Sequence, residues 1–174
     1  MPMNPSGDAK KPRISAVAAL GARTRALGKE GGLIWHIPED VKRFKALTMG
    51  HPVIMGRRTW DSIPEKYRPL SERTSIIVTR AHDFAVDGAI VVHSIEDALE
   101  AARNAPGNDE VCIFGGGEIY RLALPYTDRL YLTLVDDDTE GDAYFPSYDE
   151  FTKVLEEETH PEGTPPYSFV TLER

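Results

Sequence analysis

Residues 111–120 read Val-Cys-Ile-Phe-Gly-Gly-Gly-Glu-Ile-Tyr, and that order decides the fold. Four apolar residues in a row, Val111 to Phe114, make a short strand buried on both faces. Three glycines follow at once, and Glu118 to Ala123 then reads as a helix that stops near Pro125. A buried strand that turns directly into a helix is half of a parallel α/β unit. The same passage recurs outward from it. Val53 to Gly56 is a buried strand that enters a short polar helix from Arg57 to Ile63. Ser75 to Thr79 and Ala89 to Val92 are further strands, the second leading into a helix from Ser94 to Arg103. Ser94 stands three residues before Asp97, the spacing of a capping box.

Toward the N-terminus, Ile14 to Leu20 (ISAVAAL) is a continuous apolar run whose alanines imply a close approach on one side. Gly21 to His36 carries glycines at 21, 28, 31 and 32 without a clear period, which reads as a long, mobile, functional loop. Pro38 opens a helix where its missing N–H is harmless, and Val41, Phe44, Leu47 and Thr48 continue at helical spacing to about Gly50. Toward the C-terminus, Arg129 to Val135 alternates as a strand before the acidic turn Asp136-Asp137-Asp138. Phe151 to Glu158 and Tyr167 to Leu172 read as a closing antiparallel pair. The expected fold is α/β: a single domain with about eight strands in a mostly parallel sheet, an antiparallel C-terminal edge and flanking helices. Residues 1–12 are expected to be a disordered polar leader, and 13–174 the folded domain.

With 174 residues, 41% of them apolar, the chain can build one core and not two. A net charge of −8 argues against nucleic acid or membrane surfaces as partners. A local basic cluster can still take an anionic ligand. Cys112 is the only cysteine, which excludes an intramolecular disulfide and a cysteine metal cluster. Its apolar neighbours make it a buried small hydrophobe. None of the five histidines has a metal-ligand spacing, so no metal is expected. The absence of a membrane-length apolar run and of a secretion signal gives the cytoplasm as the expected compartment.

Three features can carry chemistry. Gly115, Gly116 and Gly117 lie between a strand and a helix, where backbone N–H groups can meet a pyrophosphate; a tight turn needing positive φ is an equal reading. The acidic residue of a full dinucleotide fingerprint is missing. Next, Gly56, Arg57, Arg58 and Thr59 follow one strand, and Thr79 and Arg80 end another. Strand ends hold ligands in open α/β sheets, and the arginine fork suits a phosphate monoester. The alternative is a solvated basic face. Finally, Asp40 lies three residues after Ile37, four before Phe44 and seven before Leu47, which turns its carboxylate to the apolar helix face. First-turn acids are favoured by the helix dipole, but Glu39 already fills that role. A carboxylate so placed has a perturbed pKa and suits adjacent N–H donors, such as those of an aminopyrimidine. Trp60 reads as a core aromatic. Trp35, five residues before Asp40, reads as core or as a group that orients water near the carboxylate.

Taken together these segments resemble the dihydrofolate reductase family. The match rests on Val17-Ala18-Ala19, on Leu27-Gly28, and on Trp35, Pro38 and Asp40. It is most specific from Pro52 to Ile63 (PVIMGRRTWDSI), from Phe114 to Tyr120 (FGGGEIY) and from Gly141 to Pro146 (GDAYFP). The resemblance implies that Asp40 holds the pterin N3 and 2-amino group, with Thr133 bonded behind it. It places Phe44 against the pterin and aminobenzoyl rings, Ile63 and Leu70 on the far wall, and Arg73 on the α-carboxylate of the glutamate tail. Backbone groups of Val17 and Phe114 complete the pterin contacts, with Tyr120 beside them.

For the cofactor, NADPH, the resemblance implies Ala19 and Leu27 at the nicotinamide, and Thr59, Gly116 and Gly117 at the pyrophosphate. Gly56, Gly115, Glu118 and Ile119 belong to the same cofactor-facing set. Arg57, Arg58, Thr79 and Arg80 grip the 2′-phosphate and so select NADPH over NADH. Hydride passes from nicotinamide C4 to pterin C6, water supplies the N5 proton, and the charge of Asp40 raises the proton affinity of N5. The glycine-rich loop closes over the nicotinamide. Dihydrofolate is the implied substrate, methotrexate and trimethoprim are implied inhibitors, and a monomer is the implied state.

Two departures stand out. Glu118 occupies a place where some relatives have arginine, a negative group that Arg58 and Arg80 must offset. The segment Pro64 to Pro69 is longer than in the shortest relatives. Two other readings stay open on sequence. A reductase of the same fold acting on a ribosylated pyrimidine needs ribose-phosphate contacts in place of Asp40 and Arg73. A non-catalytic pterin- or nucleotide-binding protein has the site without turnover.

Overall fold

The computed structural model describes residues 11–174, and residues 1–10 of the expected leader lie outside the described residues. The chain opens with β1 (Arg13–Gly21), then a small hairpin of β2 (Ala26–Lys29) and β3 (Gly32–Leu33), then α1 (Pro38–Thr48). β4 (Val53–Gly56) runs straight into α2 (Arg57–Ser62). β5 (Ser75–Val78) and β6 (Ala89–Val92) follow, and α3 (Ile95–Arg103) leads to β7 (Glu110–Gly115). α4 (Gly117–Ala123), β8 (Arg129–Val135), the short β9 (Ala143–Tyr144) and the pair β10 (Lys153–His160) and β11 (Tyr167–Glu173) complete it.

The main sheet has eight strands in the order β10-β11-β8-β1-β7-β4-β5-β6. From β8 to β6 every neighbouring pair is parallel; only β8–β11 and β11–β10 are antiparallel. Strand alternation sorts the side chains onto two faces. One face carries Ala16, Ala18 and Leu20 of β1, Leu130 and Leu132 of β8 and Ile113 of β7, packed against Ala98 and Leu99 of α3 and Ile119 of α4. Each fully buried leucine or isoleucine here contributes about 1.5–3 kcal/mol. The other face carries Val53, Met55, Ile77 and Cys112 under Trp60 of α2. Helices therefore cover both faces, as the alternation of strands and helices requires. The exposed edge strand β10 carries Glu156, Glu157 and Glu158 in succession, charges that deter edge-to-edge pairing.

α3 starts where the sequence signals it. Ser94 is the N-cap, and its hydroxyl accepts the Asp97 N–H at 3.0 Å. Replacing Ser94 with Ala is expected to lower stability by about 1 kcal/mol. A urea titration should show a lower midpoint at unchanged slope, with catalytic rate constants unaltered.

Residues 21–36 depart from the expected structureless loop. β2 pairs with β3 and with β9 in a separate three-stranded sheet. The turn residues Glu30 and Gly31 both have positive φ, 52° and 80°, as a type I′ hairpin turn requires. A side chain on Gly28 would come within 2.7 Å of the Gly32 carbonyl, so the strands approach only because that position is bare. Strands this short, rich in glycine, leave no alternation to read. α1 forms where helical spacing places it, with Val41 52% exposed. The covered arc of α1 runs through Ile37, Asp40, Phe44 and Thr48, and Val41 falls on its rim.

Candidate active site

Pro38 occupies the first turn of α1, and Ile37 before it is extended, with φ −117° and ψ 104°. This fixes the start of the helix so that Asp40 falls over β8 instead of over solvent. The Thr133 hydroxyl, buried on β8, donates to Asp40 Oδ1 at 2.6 Å. Thr133 lies directly beside Ala19 in the β1–β8 register, so carboxylate and Ala19 share one end of the parallel strands. Burial raises the Asp40 pKa above the ordinary carboxylate value, and the Thr133 hydrogen bond and the Arg43 charge pull it partly back.

Next to this carboxylate the Tyr120 hydroxyl lies 2.6 Å from the Val17 carbonyl oxygen and 2.8 Å from that of Phe114. The Phe44 and Phe114 rings meet at 4.2 Å. Ile63, Leu70 and Phe114 are each partly buried against the cluster that contains Val53, Met55 and Trp60. Farther along α1, Arg73 donates to Thr48 Oγ1 at 3.0 Å and to the Ser71 carbonyl at 2.9 Å. Its position is thus held, and partial burial lowers its pKa. Trp35 packs beside Ile37, Val135 and Tyr167, with its buried Nε1 toward Asp137, whose carboxyl is held below the ordinary range mainly by Thr139 and in part by this indole. Buried Cys112 has its thiol pushed up to about 12, so it is packing and not a nucleophile.

The second group of residues gathers at the carboxyl ends of three adjacent parallel strands. In the registers of β7, β4 and β5, Gly115 stands beside Met55, and Gly56 beside Val78. The segments Gly115–Gly117, Gly56–Thr59 and Thr79–Arg80 therefore leave the sheet at one level. Strand ends of this kind hold ligands in open α/β sheets. Leu27 of β2 and Thr59 of α2 flank Gly117 and Gly116, each within 3.8 Å of where a Cβ would stand. Ile119 turns its side chain into the core under Gly56 and leaves only its backbone toward this end.

The arginines are not equivalent. The Arg57 guanidinium lies 4.2 Å over the Phe84 ring, with its Nε 3.7 Å from Asp61. Arg58 is exposed. Arg80 donates to Glu118 Oε1, so the acidic residue that departs from some relatives is paired with one of the four expected phosphate contacts. Sequence reasoning did not single out Phe84, Tyr144 or Arg43. For Arg43 the one signal in the sequence is its spacing, a charge one helical turn from Asp40.

Fold and site define a class: an α/β protein with one main sheet that carries a half-buried carboxylate over β8 beside β1, and glycine backbone with arginines at the carboxyl ends of β7, β4 and β5. A sequence model of the family described as dihydrofolate reductase matches residues 13–174. The chain is 41% identical over 165 residues to dihydrofolate reductase type 3 of Salmonella typhimurium, covering 92% of this chain and 98% of the relative. It is 40% identical over 165 residues to dihydrofolate reductase of Bacillus subtilis, covering 92% and 94%. Among solved structures, dihydrofolate reductase from Enterococcus faecalis complexed with NADP(H) and RAB-propyl matches with a TM-score of 0.81 and 30% identity, over 93% of this chain and 96% of that one. The chain belongs to the dihydrofolate reductase family. It is an enzyme that reduces dihydrofolate, and the pyrimidine-reducing and non-catalytic readings fall away.

Proposed function

We propose that the chain reduces 7,8-dihydrofolate to 5,6,7,8-tetrahydrofolate with NADPH, with Asp40 as the one ionisable group at the pterin. The observation that carries this reading is the half-buried Asp40 carboxylate, held on Oδ1 by Thr133, with acceptor capacity remaining on both Oδ1 and Oδ2 for the ligand. A carboxylate accepts two parallel hydrogen bonds from the N3–H and 2-amino group of a pterin. The Val17 and Phe114 carbonyls beside it take further ring N–H groups. Phe44 and Ile63 clasp the rings, Leu70 extends the wall, and Arg73 meets the glutamate α-carboxylate.

The cofactor side fits a dinucleotide phosphate. Gly116 caps α4 without a side-chain hydrogen bond, so the first N–H groups of that helix are available to a pyrophosphate, and Gly117 is bare because a Cβ there would stand 3.0 Å from the Tyr144 carbonyl oxygen. When bound, the reduced nicotinamide supplies the hydride that reduces pterin C6. Ala19 and Leu27 border that ring, Thr59 and Gly116–Gly117 hold the pyrophosphate, and Arg57, Arg58, Thr79 and Arg80 take the 2′-phosphate. Asp40 stabilises positive charge at N5, Trp35 orients water beside it, and the β2–β3 hairpin excludes bulk solvent. The enzyme acts as a cytoplasmic monomer and binds methotrexate and trimethoprim at the pterin side.

Glu118 competes with the 2′-phosphate for Arg80. Glu118→Gln is expected to lower the KM for NADPH by about two- to fivefold, the range of an exposed ion pair, with the KM for NADH unchanged. Steady-state kinetics with the two cofactors measures this directly. The reading as a whole is tested by following NADPH oxidation with and without dihydrofolate. Folate-dependent oxidation, blocked by methotrexate, is the expected result. A folded preparation that binds NADPH and shows no such oxidation contradicts it.

A further inference from the structure

We propose that Arg43 is a positioning residue for this reaction, a fixed cation behind Asp40 that keeps the carboxylate ionised inside the cleft wall. The inference rests on the reading of Asp40 as the pterin anchor. Arg43 follows Asp40 by three residues, so both side chains leave α1 on neighbouring faces. The sheet beneath them supplies a matched platform. Thr133 and Tyr131 point to one face of β8, and their cross-strand partners on β11 are Phe169 and Thr171. Asp40 sits on Thr133. The Arg43 guanidinium lies 4.7 Å over Phe169, the direct neighbour of Thr133, and 5.9 Å from the Tyr131 ring.

Arg43 does not extend into solvent, as a long basic side chain on a helix surface ordinarily does. Its Nη1 donates to the Leu132 carbonyl at 3.1 Å, and its Nη2 reaches Thr171 Oγ1 at 3.5 Å. Two aromatic faces and two sheet acceptors therefore fix a charge that leaves the Asp40 carboxylate unblocked. Among the described residues Arg43 and Asp40 form no direct ion pair. The distinction matters chemically. A cation bonded to the carboxylate would use the oxygen that the pterin needs, whereas a cation behind it acts only through its field.

The electrostatic surroundings agree. Burial is the largest influence on Asp40 and disfavours its charge, and after the Thr133 hydrogen bond the Arg43 field is the next that favours it. The other titratable groups facing the pair are Tyr131 on β8, Glu156 and Glu158 on β10, Tyr167 on β11 and Tyr120 on α4. The two glutamates face Arg43 and so weaken its field at Asp40. His160 on β10, whose ring packs against Tyr167 and Phe169, pairs with Glu158 and Glu162, and Lys42 on α1 pairs with Glu39. Arg43 is the cation whose field acts on Asp40.

The test is a ¹³C NMR titration of the chain labelled at the aspartate carboxyl carbon, with Asp40→Asn assigning the Asp40 resonance. Arg43→Met keeps the side-chain length and apolar packing, and Arg43→Lys keeps the charge. Arg43→Met should raise the Asp40 pKa by about one unit, the lower range for loss of a neighbouring cation. Arg43→Lys should stay within a few tenths of the parent. An Asp40 resonance that titrates at the parent pH in Arg43→Met overturns the proposal, whatever the variant does to Tm. Because the titration needs no substrate, it can fail while Asp40 remains the pterin anchor, and it can succeed if Asp40 has another ligand. Should Arg43→Met not fold, Arg43→Gln is read by the same criterion.

Discussion

Asp40→Asn is expected to lower the rate of dihydrofolate reduction at neutral pH by about 10²–10⁴-fold while raising thermal stability. The loss of rate follows from the charge. Asparagine keeps the volume and can still accept from Thr133 through its Oδ1, but it turns an N–H₂ donor toward ligand donors and offers no negative field to N5. The gain in stability follows from the raised pKa of Asp40 in the folded chain, caused mainly by burial. A carboxyl whose folded pKa is raised contributes stability that is full below its unfolded pKa, about 3.9 for Asp, and is lost as pH rises through the folded value. At pH 7 the ionised carboxylate is therefore a burden on the fold that asparagine removes. The Tm of the variant should exceed that of the parent at pH 7, with the gap closing toward about pH 3. Thermal melts across this range, beside kcat/KM, measure both halves.

Gly115→Ala is expected to have the largest effect on the fold among single methyl additions at the site. Gly115 has φ 105°, a region that residues with a Cβ rarely adopt. The added carbon would stand 2.6 Å from Cε2 and 2.8 Å from Cζ of Tyr120. Tyr120 has no room to move, since it is buried and its hydroxyl lies between the Val17 and Phe114 carbonyls. Backbone strain and overpacking together should lower stability by about 3 kcal/mol, seen as a lower urea midpoint. Displacement of Tyr120 also disturbs the two carbonyls assigned to the pterin, so kcat/KM should fall in the fraction that stays folded. A variant with the parent midpoint and parent kinetics would mean that the glycine turn is loose and does not define the site.

Most of the eight-stranded sheet was legible because its inner strands are apolar runs bounded by turn residues, from Ile14–Leu20 to Tyr167–Leu172, whereas the edge strand β10 is polar and exposed. The Ser94 cap was legible because it depends on a local pattern. The β2–β3–β9 sheet was not, since strands of two to four residues with glycine carry no period and the partner β9 lies more than a hundred residues away. Asp40 could be singled out by helical spacing alone, yet its bond to Thr133 joins residues 93 apart and entered only through the family resemblance. The pairing of Arg80 with Glu118 shows the same limit. Sequence marked one as a phosphate contact and the other as its opponent, and only the fold places them together. Arg43 was passed over because an arginine on a helix reads as solvated surface until the aromatic platform beneath it is known.

The central claim is that Asp40 acts on the pterin through its charge, and single-turnover hydride transfer followed against pH in the parent and in Asp40→Asn tests it most directly. If the carboxylate raises the proton affinity of N5, the variant needs a lower pH to reach the same protonated fraction. Its profile should then be displaced toward acid, with a deficit that is largest at neutral pH and narrows as pH falls. A deficit of the same size at every pH, or none, would show that Asp40 does no more than hold the ring and would contradict the account.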